Sequence, residues 1–180
     1  MKERLFSLLI FTLCFFSGWG LGKMTGPRIC IQHAEIIEKE AQAFSLDPRL
    51  VRSLVLTESS GKSNSVSHKN AIGLMQLTPG TAKELALKLE MKCNLPDDLF
   101  RPEVNIHLGC YYLHKLLRKF RGDLVLTLAA YNTGPNRVTK WCDKSRRESS
   151  WRTIYQNGSR ETKTYVYKVL GRYGKSEYLK

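Results

Sequence analysis

Helix-start signals are the feature of this sequence that most constrains its fold. Asp47 followed by Pro48, and Thr78 followed by Pro79, each place an N-cap residue before proline at the first helical position. Apolar residues with helical spacing follow both signals. Pro102 begins a third such segment. The helices predicted from these and similar patterns span 34–44, 48–58, a segment carrying Ala82 to Leu89, 103–120, 124–132, a short stretch through Val138 and Trp141, and 162–173.

The segments between these helices are polar. Residues 59–72 are predicted to form a loop or a small hairpin, and 144–150 a mobile loop. Gly109 lies on the apolar face of the longest helix, where glycine costs about 1 kcal/mol relative to alanine. We therefore expect close packing of Gly109 against a neighbouring helix. The whole pattern predicts one mainly α domain over residues 30–176, with at most a small β-hairpin.

The chain is strongly basic. It has 29 Lys and Arg against 16 Asp and Glu, which gives a formal net charge of +13. This charge favours a polyanionic partner or an anionic surface. Nucleic acid, an anionic polymer of the cell envelope and simple solubility all remain open from the charge alone.

The N-terminus indicates export. Lys2 and Arg4 precede the apolar run 5–16, and small residues follow. This order is typical of a secretory signal peptide, which we place at residues 1–22. Retention as an N-terminal membrane anchor is the alternative, since 5–21 reaches the short limit for a spanning helix. Either way the protein is expected in the periplasm or cell envelope, which weakens the nucleic-acid hypothesis.

Cysteine and histidine usage gives two further expectations. Four cysteines remain after Cys14, and in an oxidising compartment they predict two disulfides with three open pairings: Cys30, Cys93, Cys110 and Cys142. His107 and His114 lie seven residues apart and could share a helix face, but no histidines show the spacing of metal ligands. We therefore expect no metal and no cofactor.

Glu58 is the residue with the most chemical meaning. Val51, Leu54 and Val55 form an apolar stripe, and Glu58 occupies the next position on it. Burial raises the pKa of a carboxyl group, and a proton retained near neutral pH suits general-acid catalysis on a glycosidic oxygen. The alternatives are a glutamate paired with arginine and a helix end exposed to water.

Several motifs in order resemble a known family. The matching segments are Glu58-Ser59-Ser60-Gly61, Ser67, Gly73-Leu74-Met75-Gln76, Pro79-Gly80-Thr81-Ala82, Asn105-Ile106 with Gly109 and Tyr112-Leu113, Ala129 to Gly134, and Glu161-Thr162 with Tyr165-Val166. Together they resemble the lytic transglycosylase domain, which is related to goose-type lysozymes. The resemblance covers roughly residues 35 to 173.

The resemblance implies a fold and a set of site residues. The expected fold is a lysozyme-like helical domain with an active-site cleft. Glu58 matches the family's catalytic acid and base. The other site residues that we carry over as substrate-binding or supporting contacts are Ser67, Gly73, Met75, Gln76, Tyr131, Asn132 and Glu161.

The resemblance also implies an activity. The expected reaction cleaves the β-1,4 bond between N-acetylmuramic acid and N-acetylglucosamine and leaves 1,6-anhydro ends. A lysozyme-type hydrolase of the same bond is the first alternative, and a non-catalytic wall-binding module is the second. The expected partners are peptidoglycan strands, with a membrane tether through the N-terminal segment and an envelope-spanning secretion or motility apparatus as further candidates. Nucleic acid is not expected.

Overall fold

The computed structural model describes residues 33–144 and 148–179; the predicted signal peptide or anchor, residues 1–22, lies outside them. The described part contains eight α-helices and two short 3-10 helices, Asp97–Phe100 and Ser176–Leu179. The α-helices are α1 (Ala34–Ala43), α2 (Pro48–Glu58), α3 (Pro79–Lys88), α4 (Pro102–Lys119), α5 (Leu124–Thr133), α6 (Pro135–Lys144), α7 (Ser150–Asn157) and α8 (Arg160–Tyr173).

The helix starts follow the predicted capping chemistry. The side chain of Asp47 accepts a hydrogen bond from the backbone N–H of Arg49, and Thr78 accepts one from Thr81. Asp123 caps α5 in the same way. These side chains satisfy backbone donors that have no partner within the helix. The predicted mainly α architecture is therefore confirmed.

One helix was not predicted. Ser149 caps α7, which begins at Ser150, within the polar stretch that the sequence analysis treated as a loop. Residues 145–147 of that stretch lie outside the described residues. Ile154 is fully buried and attaches α7 to the core, so tertiary packing stabilises a helix of only eight residues.

Two apolar clusters form the interior, and α4 contributes to both. The large cluster joins α1, α2 and α4 to α8. The small cluster joins α3 to Leu99 and to Ile72 and Leu77 of the connection between α2 and α3. Ile106 and Leu113 of α4 face the large cluster, whereas Val104 and Leu108 face the small one. The long helix thus separates two lobes.

The connection between α2 and α3 forms a compact loop with two isolated antiparallel bridges, Val66 with Ile72 and Ile72 with Leu77. The fully buried Asn105 of α4 fixes this loop. Its Oδ1 accepts from the N–H of Met75 at 2.7 Å, and its Nδ2 donates to the carbonyls of Ile72 and Leu99 at 2.9 and 2.8 Å. One side chain therefore satisfies three buried backbone groups.

Two expectations from the sequence are wrong. Gly109 does pack closely, but against the Met75 side chain rather than a neighbouring helix. Cys93, Cys110 and Cys142 are free, which excludes two disulfides among the four cysteines. Cys110 is buried in the large cluster, Cys142 of α6 packs against that same cluster, and Cys93 packs against the small one, while Cys30 lies outside the described residues.

His107 and His114 share a face of α4, since both rings contact Phe44. His107 Nδ1 lies 2.6 Å from the buried Glu40 carboxylate, and His114 Nδ1 lies 2.8 Å from the Phe44 carbonyl. No helix in the described part of the chain is both long and apolar enough to cross a bilayer.

Gly109→Ala tests the contact between α4 and the loop. An added Cβ would lie 2.3 Å from Met75 Sδ, so we expect a loss of about 1–3 kcal/mol in the free energy of unfolding, measured by urea denaturation. Gly171→Ala on the exposed side of α8 is the matched control, because nothing lies within 4 Å of its new Cβ. That control should gain about 0.5–1 kcal/mol. Equal stability of Gly109→Ala and the parent would contradict the packing.

Candidate active site

A cleft of about 370 Å³ opens beside the C-terminal end of α2, and Glu58 lies in it. Val51, Leu54 and Val55 are fully buried, so the helix face that continues to Glu58 points from the core into the cleft. The Glu58 side chain is partly exposed there. The residues that line the cleft are Glu58, Ser67, His68, Lys69, Ala71, Gln76, Leu77, Thr78, Thr81, Tyr112, Tyr131, Asn132, Gly134 and Glu161.

The Glu58 carboxyl has one short hydrogen bond. The hydroxyl of Tyr165 on α8 donates to Glu58 Oε1 at 2.6 Å. Burial raises the pKa of Glu58 to about 7, and the Tyr165 hydrogen bond opposes this rise because it stabilises the charged form. Near neutral pH, Glu58 can therefore both give and accept a proton.

Two buried tyrosines surround this carboxyl. Burial raises the pKa of both Tyr131 and Tyr165 well above the ordinary value of 10, with the nearby Glu58 charge as the next cause. Both hydroxyls therefore stay protonated and act as donors. Tyr131 donates to the Met75 carbonyl at 2.9 Å, and its ring lies 5.1 Å from that of Tyr112. The Tyr131 hydroxyl thus donates its hydrogen bond to the protein backbone.

Polar side chains of the loop also bind backbone. Ser59, adjacent to Glu58, donates to the Leu74 carbonyl at 2.9 Å, which ties the end of α2 to the loop. Gln76 Nε2 donates to the carbonyls of Gly73 and Ser65 at 2.9 and 3.2 Å. Ser67 Oγ accepts from the N–H of Ala71 at 3.1 Å. These bonds hold one wall of the cleft in place.

The structure brings together most of the site residues predicted from the sequence. Six of them line the cleft: Glu58, Ser67, Gln76, Tyr131, Asn132 and Glu161. Glu161 is exposed, and its Oε1 lies 3.5 Å from Lys69 Nζ, so this ion pair links α8 to the loop.

Gly73 and Met75 are both buried, and neither belongs to the cleft lining. Gly73 has a φ of +80°, and a Cβ there would lie 2.2 Å from Asn105 Nδ2. Glycine is needed for this close approach. The Met75 side chain fills the space over Gly109. Both residues position the loop, and a direct contact of either with a sugar stays a prediction.

Tyr165 is the site residue that the sequence analysis missed. In the sequence it stands only within the matching segment Tyr165-Val166, without a role. The available signal was a hydroxyl in that segment, four residues after Glu161, but only the packing of α8 on α2 brings it to Glu58. Lys69 and Thr78 were likewise not predicted to line the cleft.

The comparisons with known proteins agree with this fold and site. A mainly helical lysozyme-like domain with a carboxyl in its cleft is the class that the structure defines. Residues 35–154 match the family model of the Transglycosylase SLT domain, and the chain belongs to this family.

Individual relatives are similar over part of their length. The chain is 34% identical over 113 residues to a putative soluble lytic murein transglycosylase of Haemophilus influenzae, covering 63% of this chain and 19% of that protein. It is 34% identical over 123 residues to the membrane-bound lytic murein transglycosylase E of Buchnera aphidicola, covering 64% and 56%. The chain therefore spans less than two thirds of either relative.

The fold is similar to a solved structure from Pseudomonas aeruginosa, that of the lytic transglycosylase Slt in an inactive mutant. The TM-score is 0.75 at 34% identity, covering 84% of this chain and 25% of that one. The predicted lysozyme-like fold and the family are confirmed.

Stability should depend on pH through Glu58. The pKa of the Glu58 carboxyl in the unfolded chain is near its ordinary value of 4.5, whereas its pKa in the native state is about 7. Between these pH values the unfolded state has released a proton that the native state retains, so the free energy of unfolding falls as pH rises. Glu58→Gln has no carboxyl at this position and therefore does not lose stability in this way. Relative to the parent, its free energy of unfolding should increase by up to about 3 kcal/mol between pH 4 and pH 8.

Urea denaturation at both pH values measures this difference. Glu38→Gln on the exposed face of α1 is the matched control for the removal of one carboxyl from the surface. A Glu58→Gln difference that is the same at pH 4 and pH 8 would argue against the raised pKa.

Proposed function

We propose that this protein is a peptidoglycan lytic transglycosylase with Glu58 as its catalytic acid and base. The observation that carries the proposal is the Glu58 carboxyl, which has a pKa of about 7 and lies in a cleft with the Tyr165 hydroxyl 2.6 Å away. A carboxylic acid with this pKa can protonate a leaving oxygen and then, as a carboxylate, accept a proton.

The proposed substrate bond is the β-1,4 linkage between N-acetylmuramic acid and N-acetylglucosamine. Glu58 donates its proton to the glycosidic oxygen as the bond to the sugar carbon breaks. The acetamido group of the substrate stabilises the positive charge that develops on that carbon. The Glu58 carboxylate then removes the proton of the 6-hydroxyl, whose oxygen closes the 1,6-anhydro ring. Glu58 thus gives up one proton and regains one, and no water is consumed.

The distribution of carboxyl groups supports a mechanism with one acid. Among the residues that line the cleft, Glu161 is the second carboxyl group. It is exposed and paired with Lys69, so it lacks the surroundings of Glu58. Glycosidases that use two carboxylates need the second one either as a nucleophile on the reacting carbon or as the base that activates a water. We therefore assign Glu161 to substrate binding, together with Ser67, Gln76, Tyr131 and Asn132.

The names of the relatives support the same proposal. Both relatives described above are named lytic murein transglycosylases. The Pseudomonas structure is of an inactive mutant in which glutamate is replaced by glutamine. The chain spans only part of these proteins, so their activity is proposed for it by similarity of the domain.

We further propose that the protein is exported and acts in the periplasm or cell envelope, as the N-terminal sequence predicts. Action within an envelope-spanning secretion or motility apparatus stays a prediction from the sequence.

Glu58→Gln should lower the rate of release of muropeptides from purified sacculi by about 100- to 10,000-fold, because the glutamine amide cannot supply the proton. Mass spectrometry of the products of the parent protein should find ends that lack one water. Products with intact reducing ends would indicate the hydrolase instead. Absence of any release by the parent would favour the wall-binding module.

Tyr165→Phe should shift the pH dependence of catalysis. Loss of the hydroxyl removes the hydrogen bond that stabilises the Glu58 carboxylate, so the pKa of Glu58 rises. The fall of kcat/KM at high pH should then move to higher pH. Tyr173→Phe is the matched control on the same helix, since its hydroxyl donates to Asp47 at 2.9 Å and should leave the profile unchanged. An unmoved profile in Tyr165→Phe would exclude Tyr165 as a positioning residue.

A further inference from the structure

We propose that α7 and α8 carry a second binding surface for carboxylate-bearing glycan strands, outside the cleft. It consists of Tyr155, Lys163 and Tyr167, which we call the tyrosine–lysine strip. The inference rests on the proposed function, since it assigns the strip to the same polymer. The strip holds a strand that the cleft does not enclose.

The three side chains lie side by side. Lys163 Nζ is 4.7 Å from the centre of the Tyr155 ring, which joins α8 to α7 through a cation–π contact. Tyr167 is four residues after Lys163, so the two are neighbours on one face of α8. Tyr155 is 62% exposed and Tyr167 61% exposed. Two tyrosines with a lysine between them are thus open to a ligand.

The core holds the two helices without help from the strip. Ile154 anchors α7 and is fully buried, as are Val166 and Leu170 of α8. Tyr155 and Tyr167 each directly follow one of these buried residues on the helix, and their exposure shows that they point away from the core. Folding therefore does not explain why large aromatic side chains occupy these exposed positions.

The two helices that carry the strip have a net positive charge. The Lys and Arg residues of α7 and α8 are Arg152, Arg160, Lys163, Lys168 and Arg172. Their acidic counterpart on these two helices is Glu161, which is paired with Lys69. A positive surface charge attracts carboxylates, and the attraction is strongest at low ionic strength, where salt screens it least.

The position of the strip favours a glycan strand over other polyanions. Glu161 lines the cleft and lies in the first turn of α8, two residues before Lys163. Residues two apart on a helix point to different sides. A strand that leaves the cleft past Glu161 can therefore pass round the end of α8 and reach the strip. There the tyrosine rings offer flat amphipathic faces to sugars, and Lys163 offers an ammonium to lactyl or peptide carboxylates.

The test uses sacculi, the intact peptidoglycan polymer, as the probe. Binding is measured by sedimentation in the Glu58→Gln background, where the polymer is not cut. Tyr155→Ala combined with Tyr167→Ala should weaken binding at least tenfold. Tyr178→Ala is the matched control, an exposed tyrosine beyond the end of α8 that should bind as the background does. Circular dichroism melting checks that each variant is folded.

Turnover separates the strip from the cleft. With Glu58 intact, the double variant should cleave a short soluble muropeptide, which fills only the cleft, within twofold of the parent rate, but should cleave sacculi several-fold more slowly. Lys163→Gln should reduce the salt dependence of sacculus binding. If the parent protein cuts neither substrate, the proposed function fails, while the binding measurements still test the strip.

Three results would overturn the inference. The first is unchanged sacculus affinity in the folded double variant. The second is an equal loss of turnover on the short muropeptide and on sacculi, which would place the two tyrosines in the cleft mechanism. The third is a double variant that loses affinity for a double-stranded DNA oligonucleotide at the same salt concentration but keeps its affinity for sacculi. That result would assign the strip to nucleic acid.

Discussion

The contact between Glu58 and Tyr165 depends on the packing of α2 against α8, and the rest of the site is arranged around it. Residues 107 positions apart meet at 2.6 Å because both helices bury apolar stripes in the same cluster. Glu58 is the polar end of one stripe, and Tyr165 provides a hydroxyl within the other. The same burial that stabilises the two helices raises the pKa of the carboxyl. Stability and chemistry therefore come from one interface.

The second constraint is that several polar side chains at and behind the cleft bind backbone. Asn105 holds three backbone groups of the loop and its neighbour, and Tyr131 holds the carbonyl of Met75. Ser59 and Gln76 add bonds within the same loop. Each bond satisfies a backbone group that would otherwise be costly to bury. As a result, a loop without regular strands provides a fixed wall opposite Glu58.

The fold and the positive charge have different consequences. The two apolar clusters divide the domain into lobes with the cleft beside their junction, and they need no charge to do so. The excess of Lys and Arg acts on encounter with a partner, because surface charges contribute little to folding. On α7 and α8 this excess is accompanied by exposed tyrosines, which is why we treat that surface as a binding site rather than as a solvated face.

The sequence by itself determined seven of the eight α-helices in the described residues and the position of Glu58. Caps, prolines and apolar spacing are local signals, and a residue on a buried stripe can be recognised without knowing what packs against it. Tertiary structure alone decided the contact of Tyr165 with Glu58, the contact of Gly109 with Met75, the unpaired state of Cys93, Cys110 and Cys142, and the formation of α7. Each of these depends on which distant segments pack together, and that information is absent from any single stretch of the chain.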